Sequence, residues 1–173
     1  MEDTEINFKV IEMDGKFVIR EAEKKDIPVI HDLILGLAKH EKRPEDVTGS
    51  LEDLEYWIFE RKICTTLLAE YDGQPVGYAI YYPVFGSYSA RGRVHLEDIF
   101  IKSDLRGKGL GTKFMARVCK DALEKGYTGM EWSALDFNVD SIEYYKHLGA
   151  EVESGRLYFD FSEKNMKNTA SRG

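Results

Sequence analysis

The stretch LEDIFIKSDLRGKGLG, residues 96–111, passes from an apolar strand through a turn into a helix, with glycines at 107, 109 and 111 crowded at the junction. That join limits what the chain can fold into more than any other feature. A helix start leaves about four backbone N–H groups unpaired at the positive end of the macrodipole. Gly107, Gly109 and Gly111 keep side chains out of an anion's way and Arg106 adds charge, which suits a pyrophosphate held by backbone. Taken alone, the glycines are equally compatible with a turn and helix start that bind nothing. Spacing excludes two ligand classes. A dinucleotide fingerprint counted from Gly107 ends on Thr112, and counted from Gly109 it ends on Phe114. The run Gly111-Thr112-Lys113 is likewise not the Gly-Lys-Ser/Thr close of a Walker loop.

Around this junction strands and helices alternate. Residues 6–12 and 16–22 read as short strands about an Asp14-Gly15 hairpin signal. The first of them is either an added edge strand or a flexible extension. A helix is expected from Asp26 to Glu41, with Asp26 as cap, Pro28 in the first turn, and Ile27, Ile30, Ile34 and Leu37 as one stripe. A second starts at Ser50, with Asp53 as the acid of a capping box, and buries Leu51, Leu54 and Ile58. Residues 63–71 and 75–82 form a hairpin about Asp72-Gly73, 83–92 a loop, and 93–101 a strand. The helix after the glycines shows Leu110, Phe114, Val118 and Ala122 on one face. A strand at 130–136, a helix from Asp140 to Leu148 closed by Gly149, and a last strand at 157–161 follow. The order predicts an α/β (α+β) fold, a mixed sheet with helices on both faces. Residues 14–162 are read as a single domain, 1–13 as an N-terminal extension and 163–173 as a frayed tail.

Charge narrows the partners. Over 173 residues, 24 Lys+Arg against 31 Asp+Glu give a net charge of −7, which argues against a nucleic-acid partner and favours small cations. Cys64 and Cys119 make neither a disulfide scaffold nor a zinc cluster and read as small buried hydrophobes. No His/Asp/Glu spacing reads as a metal site. The acidic start lacks a signal-peptide pattern and no apolar run approaches the ~18 residues that span a bilayer, so the cytoplasm is the expected compartment and no membrane partner is expected.

Glu97 and Asp98 are an anomaly. Adjacent on a strand, they point to opposite faces of an ideal pleat: Glu97 with His95, Ile99 and Ile101, Asp98 with Leu96 and Phe100. Each row is largely apolar, and a charged carboxylate buried there without a partner costs several kcal/mol. A β-bulge re-aims both into a cleft; a solvated or salt-bridged pair is the alternative.

The run Arg106-x-x-Gly109-x-Gly111 after an apolar strand resembles the acetyl-coenzyme A pyrophosphate loop of GNAT-type N-acetyltransferases. The run Leu135-Asp136-Phe137-Asn138-x-x-Ser141-Ile142-x-Tyr144-Tyr145-x-x-x-Gly149-Ala150 resembles a later segment of that superfamily. Phe17-Val18-Ile19-Arg20, Leu37-Ala38-Lys39-His40-Glu41 and Leu96-Glu97-Asp98 are similar to its diamine branch, the spermidine/spermine and thialysine acetyltransferases. The match runs over about residues 16–162. It implies a mostly antiparallel sheet splayed at the cofactor site, between the strands at 94–101 and 130–136. The pantetheine arm would pair with backbone of Ile99, Phe100 and Ile101. Arg106, Gly107, Lys108, Gly109, Leu110, Gly111 and Thr112 would hold the pyrophosphate, and Asn138 and Ser141 would lie along the arm. The family's bulge falls on the Glu97-Asp98 strand. Tyr145 matches its general acid, and Glu41 a substrate-side acid of the diamine branch. A homodimer is also implied. The C-terminal turn Ser154-Gly155-Arg156-Leu157 departs from the diamine pattern in lacking tryptophan, which leaves polyamines, diamines and thialysine-like amino acids all open.

The chemistry such residues must serve is clear. At pH 7 on the order of one alkyl amine in a thousand is neutral, a handicap of roughly 4–5 kcal/mol. Glu41, Glu97 and Asp98 would attract the small cationic amine, and one of them, Glu97 foremost, would take its proton directly or through water. Acetyl-CoA is the expected co-substrate, with no metal, and Tyr145 would assist the leaving thiolate in a direct transfer. The competing readings are a protein lysine or N-terminal acetyltransferase and a non-catalytic acyl-coenzyme A sensor.

Overall fold

The computed structural model describes residues 16–172. Of these, residues 16–133 form one compact unit and residues 134–172 a second. The strand read at 6–12 and its Asp14-Gly15 turn lie outside the described residues.

The first unit is built on a five-stranded sheet in the order β1-β2-β3-β4-β5. Strands β1 (Phe17–Glu21), β2 (Thr65–Tyr71), β3 (Gln74–Gly86) and β4 (Arg91–Ile101) are antiparallel neighbours, and β5 (Met130–Glu131) runs parallel to β4. The β2–β3 turn is the expected Asp72-Gly73, with φ of 51° and 74°, the double left-handed pair of a two-residue hairpin. Gly77 on β3 is forced by proximity, since a Cβ there would stand 2.3 Å from the carbonyl oxygen of Phe100.

Helix α1 (Ile27–His40) covers one face of the sheet: Ile30 and Leu33 pack with Leu68, Tyr78, Ile80 and Phe100. Helix α3 (Leu110–Glu124) covers the other, burying Leu110, Phe114, Val118 and Ala122 as the stripe predicted. It is pinned near its C-terminal end, where the Tyr81 hydroxyl donates to buried Asp121 at 2.5 Å and Lys125 Nζ to the same carboxylate at 2.9 Å.

Several local expectations change. Asp26 stands at the N-cap of α1, as expected, but its side chain makes no capping hydrogen bond there. Its carboxylate accepts from Arg20 at 2.7 Å and from the Glu23 N–H at 2.8 Å, and the Arg20 hydrogen bond holds it below the usual carboxylate range. The capping box at Ser50 and Asp53 forms at the start of α2 (Leu51–Glu55), which continues as a π turn over Tyr56–Glu60. Ile58 is buried there, but Leu51 is exposed. Residues 83–92 are not a loop. Pro83 pairs with Val94, and β3 runs on to Gly86 before a turn at 87–90 leads into β4. The strand read at 130–136 is only two residues long.

In the second unit Asn138 caps α4 (Val139–His147), accepting from the Ser141 N–H at 3.4 Å, and Gly149 at φ 91° follows its end. Residues 157–161 are not a strand. Their apolar and aromatic run meets no partner strand among the described residues, and a lone strand has no ladder to hold it. Leu157, Tyr158, Phe159 and Phe161 are all exposed. The tail read as frayed forms α5 (Glu163–Ala170), because Ser162 caps it through the Asn165 N–H.

Candidate active site

Strand β4 carries one residue more than β3 can match. Ile80 faces Asp98 and Tyr81 faces Leu96, so Glu97 is the bulged residue. Alternation restarts there. Before the bulge His95 and Glu97 lie on the α1 face; after it Asp98 and Phe100 do. The two carboxylates therefore share a face, as a bulge requires and an ideal pleat forbids. Glu97 keeps company with His95 but not with Ile99 and Ile101, and Asp98 with Phe100 but not with Leu96.

Tyrosines from β3 receive both acids. Tyr78 donates to Asp98 Oδ2 at 2.9 Å and Tyr82 to Glu97 Oε2 at 2.9 Å. Burial pushes the Asp98 carboxyl up to about 6; the Tyr78 hydrogen bond opposes this, and the nearby charges of Glu97 and Glu41 add to it. Glu41, at the C-terminal end of α1, is thus electrostatically part of the same cluster. The Tyr82 phenol is raised to about 12, by burial first and by its bond to Glu97 second. Reading the sequence strand by strand missed Tyr78 and Tyr82. Their i, i+4 spacing, which puts both on one face of the strand, was visible, but their role depends on pairing with β4. His95, to which the sequence assigned no duty, stacks on Tyr82 with ring centroids 5.1 Å apart.

Beside these acids the sheet opens. Strand β4 pairs with β5 only at Val94↔Met130 and His95↔Glu131, so Ile99, Phe100 and Ile101 have no strand partner on that side among the described residues. Gly107 and Gly109 adopt φ of +74° and +75°, a region closed to most side chains. A Cβ at Gly107, Gly109 or Gly111 meets nothing within 4 Å, so the approach to the start of α3 is open. Gly109 is the N-cap of α3 and brings no side chain to its first-turn amides at Leu110 and Gly111. This cradle fits an anionic diphosphate. Thr112 continues the same turn, and Lys108 is exposed between the glycines. Arg106 is turned elsewhere: Nε donates to the Ile101 carbonyl at 3.2 Å, Nη1 lies 3.0 Å from His40 Nε2, and the guanidinium sits 5.7 Å from the Phe100 ring centre.

Asn138, Ser141 and Tyr145 belong to the second unit, at the cap and along α4, where the rings of Tyr144 and Tyr145 lie 5.5 Å apart. Neither cysteine is fully buried, yet burial pushes both thiols up, the reverse of an activated nucleophile.

The glycine cradle at a helix start, the sheet opened beside it and the acids on the adjoining strand sit on a mixed α/β fold of the acetyltransferase class. Residues 32–150 match the Acetyltransferase (GNAT) family, and the chain belongs to that family and is an N-acetyltransferase. It is 36% identical over 166 residues to a thialysine N-epsilon-acetyltransferase of Mus musculus, covering 89% of this chain and 97% of that one. An L-ornithine N5-acetyltransferase of Arabidopsis thaliana is 34% identical over 76 residues, 44% of this chain and 33% of that protein. Among solved structures, an aminoglycoside acetyltransferase from an uncultured soil sample superposes with a TM-score of 0.74 at 18% identity, over 87% of this chain and 100% of that one, a likeness of fold.

Proposed function

We propose that this N-acetyltransferase acetylates a primary amine of a small cationic substrate, a thialysine-like amino acid, diamine or polyamine, with acetyl-coenzyme A as donor and both substrates bound together. The observation that carries the reading is the bulge at Glu97, which turns two carboxylates to one face within electrostatic reach of Glu41. The names of the mouse and plant relatives support amino acids with a side-chain amine.

The bound thioester supplies the activated acetyl group. Backbone at Gly107, Gly109, Leu110, Gly111 and Thr112 holds the donor's diphosphate, with Lys108 contributing charge and Arg106 joining it once released from the Ile101 carbonyl, and the open edge at Ile99, Phe100 and Ile101 aligns the pantetheine arm. Asn138 and Ser141 complete that binding. Glu41 and Asp98 attract the ammonium ion, and Glu97 takes one proton so that the nitrogen lone pair is available. Tyr145 supplies a proton to the departing sulfur. The raised thiols of Cys64 and Cys119 support direct transfer over a cysteine-bound acetyl group. The exposed apolar side chains at Leu157, Tyr158, Phe159 and Phe161 support a homodimer, which sedimentation checks.

The test is release of free thiol from acetyl-coenzyme A across thialysine, ornithine, lysine, polyamines and peptides. Turnover on small diamino compounds above that on peptides is expected. Turnover on peptides alone, or donor binding without any turnover, overturns the reading.

A further inference from the structure

The acetylation of an ammonium ion releases one proton per turnover, and a base that has taken it must be cleared before the next substrate arrives. The structure places a carrier beside Glu97. The His95 ring has Nε2 3.8 Å from Glu97 Oε2 and Nδ1 3.8 Å from Glu131 Oε1, so one nitrogen looks toward the acid of the site and the other toward an exposed acid on β5. Stacking on Tyr82, with the planes 24° apart, fixes the ring in that pose. The charged and titratable groups around it are Tyr82 from β3, Glu97 on its own strand, and Glu131 from β5, itself 3.7 Å from Arg93 Nε. Both 3.8 Å separations are longer than a hydrogen bond, and each is to its own half-exposed glutamate, so the relay needs each side chain to rotate toward the ring.

We infer that His95 is a positioning and proton-relay residue that carries the substrate's proton from Glu97 to Glu131 and so to solvent. This rests on the amine acetylation proposed above. The ammonium N–H bond breaks as an O–H bond forms on Glu97. Glu97 then returns to carboxylate as Nε2 of His95 gains the proton, and Nδ1 releases its own to Glu131. The ring leaves the cycle neutral with its two nitrogens exchanged, and water exchange resets the tautomer. No electrons are transferred. An imidazole is the side chain suited to this, since one nitrogen accepts while the other donates. With an amine over Glu97, the carboxylate keeps two protein neighbours, the Tyr82 hydroxyl at 2.9 Å and the His95 ring at 3.8 Å, and of these the ring is the one that can pass a proton on to Glu131.

The experiment compares His95→Gln and Glu131→Gln with the wild type in the thiol-release assay, from pH 6 to 9, with and without added imidazole. The relay predicts that kcat falls about tenfold in each variant, that KM for the amine stays within about twofold, and that imidazole restores kcat in the variants while leaving the wild type unchanged. Unaltered kcat in both variants, or a loss that imidazole and other small buffers fail to restore, overturns it. If His95→Gln unfolds, the exposed Glu131→Gln decides alone. Failure of the parent reading is distinguishable, because the wild type itself then acetylates no amine.

Discussion

The Tyr78 hydroxyl donates to Asp98 at 2.9 Å from a side chain with no exposed surface, so the one partner able to quiet this acid is rooted in the core under α1. Even so, burial and the neighbouring acids push the Asp98 carboxyl up to about 6. A raised carboxyl binds its proton more tightly folded than unfolded. Its ionisation therefore costs nothing below the ordinary value near 4 and costs most above about 6. Asp98→Asn, whose amide oxygen still accepts from Tyr78, is expected to gain up to about 3 kcal/mol at pH 7.5 and nothing near pH 4. Urea melts at the two pH values check this, and amine KM should rise in the same variant.

Gly109 begins α3 with φ +75° and open space around it, so a methyl group there meets strain and an incoming ligand rather than protein. Gly109→Ala should lose about 1 kcal/mol of stability and weaken coenzyme A binding about tenfold by calorimetry. An unchanged affinity removes the cradle from the donor site.

Asp121 anchors the opposite end of α3. Burial opposes its charge, and the Tyr81 hydroxyl with the Lys125 ammonium outweighs that, holding the carboxyl below its usual range. A lowered carboxyl stabilises the fold above the ordinary value near 4, and the gain is lost as pH falls through the folded value. Asp121→Ala should cost about 2–4 kcal/mol at pH 7, with the deficit shrinking in acid. Thermal melts across pH measure it.

Tyr145→Phe removes the proposed acid while keeping the ring. It should lower kcat on the order of a hundredfold and leave coenzyme A affinity within about twofold. Equal turnover in the two proteins returns Tyr145 to an ordinary place on α4.

The sequence was most legible where one residue sets one conformation. Asp72-Gly73, the Ser50–Asp53 box and the α3 stripe all form where spacing put them, because each is decided within a few neighbours. The bulge was legible as an anomaly, since two charged neighbours in an apolar strand demand relief. What escaped was set by partners distant in sequence. Tyr78 and Tyr82 became acid receptors only through β4, Asp26 was drawn away from capping by Arg20, and Pro83 sits in a strand because Val94 pairs with it. Residues 157–161 have the aromatic composition of a strand and, among the described residues, lack the neighbour that makes one.

The extra residue at Glu97 gives the two halves of β4 separate origins from which their sides are counted. Side chains along the strand can be exchanged one at a time, but the one residue its length can lose without turning either half over is Glu97 itself. Deleting Glu97 would leave Asp98 and Phe100 in register with β3 and bring His95 one step closer. An insertion just beyond the kink would instead turn Phe100 out of its bed under α1. The surplus residue is what adds a second acid to the side that Asp98 and the core already share.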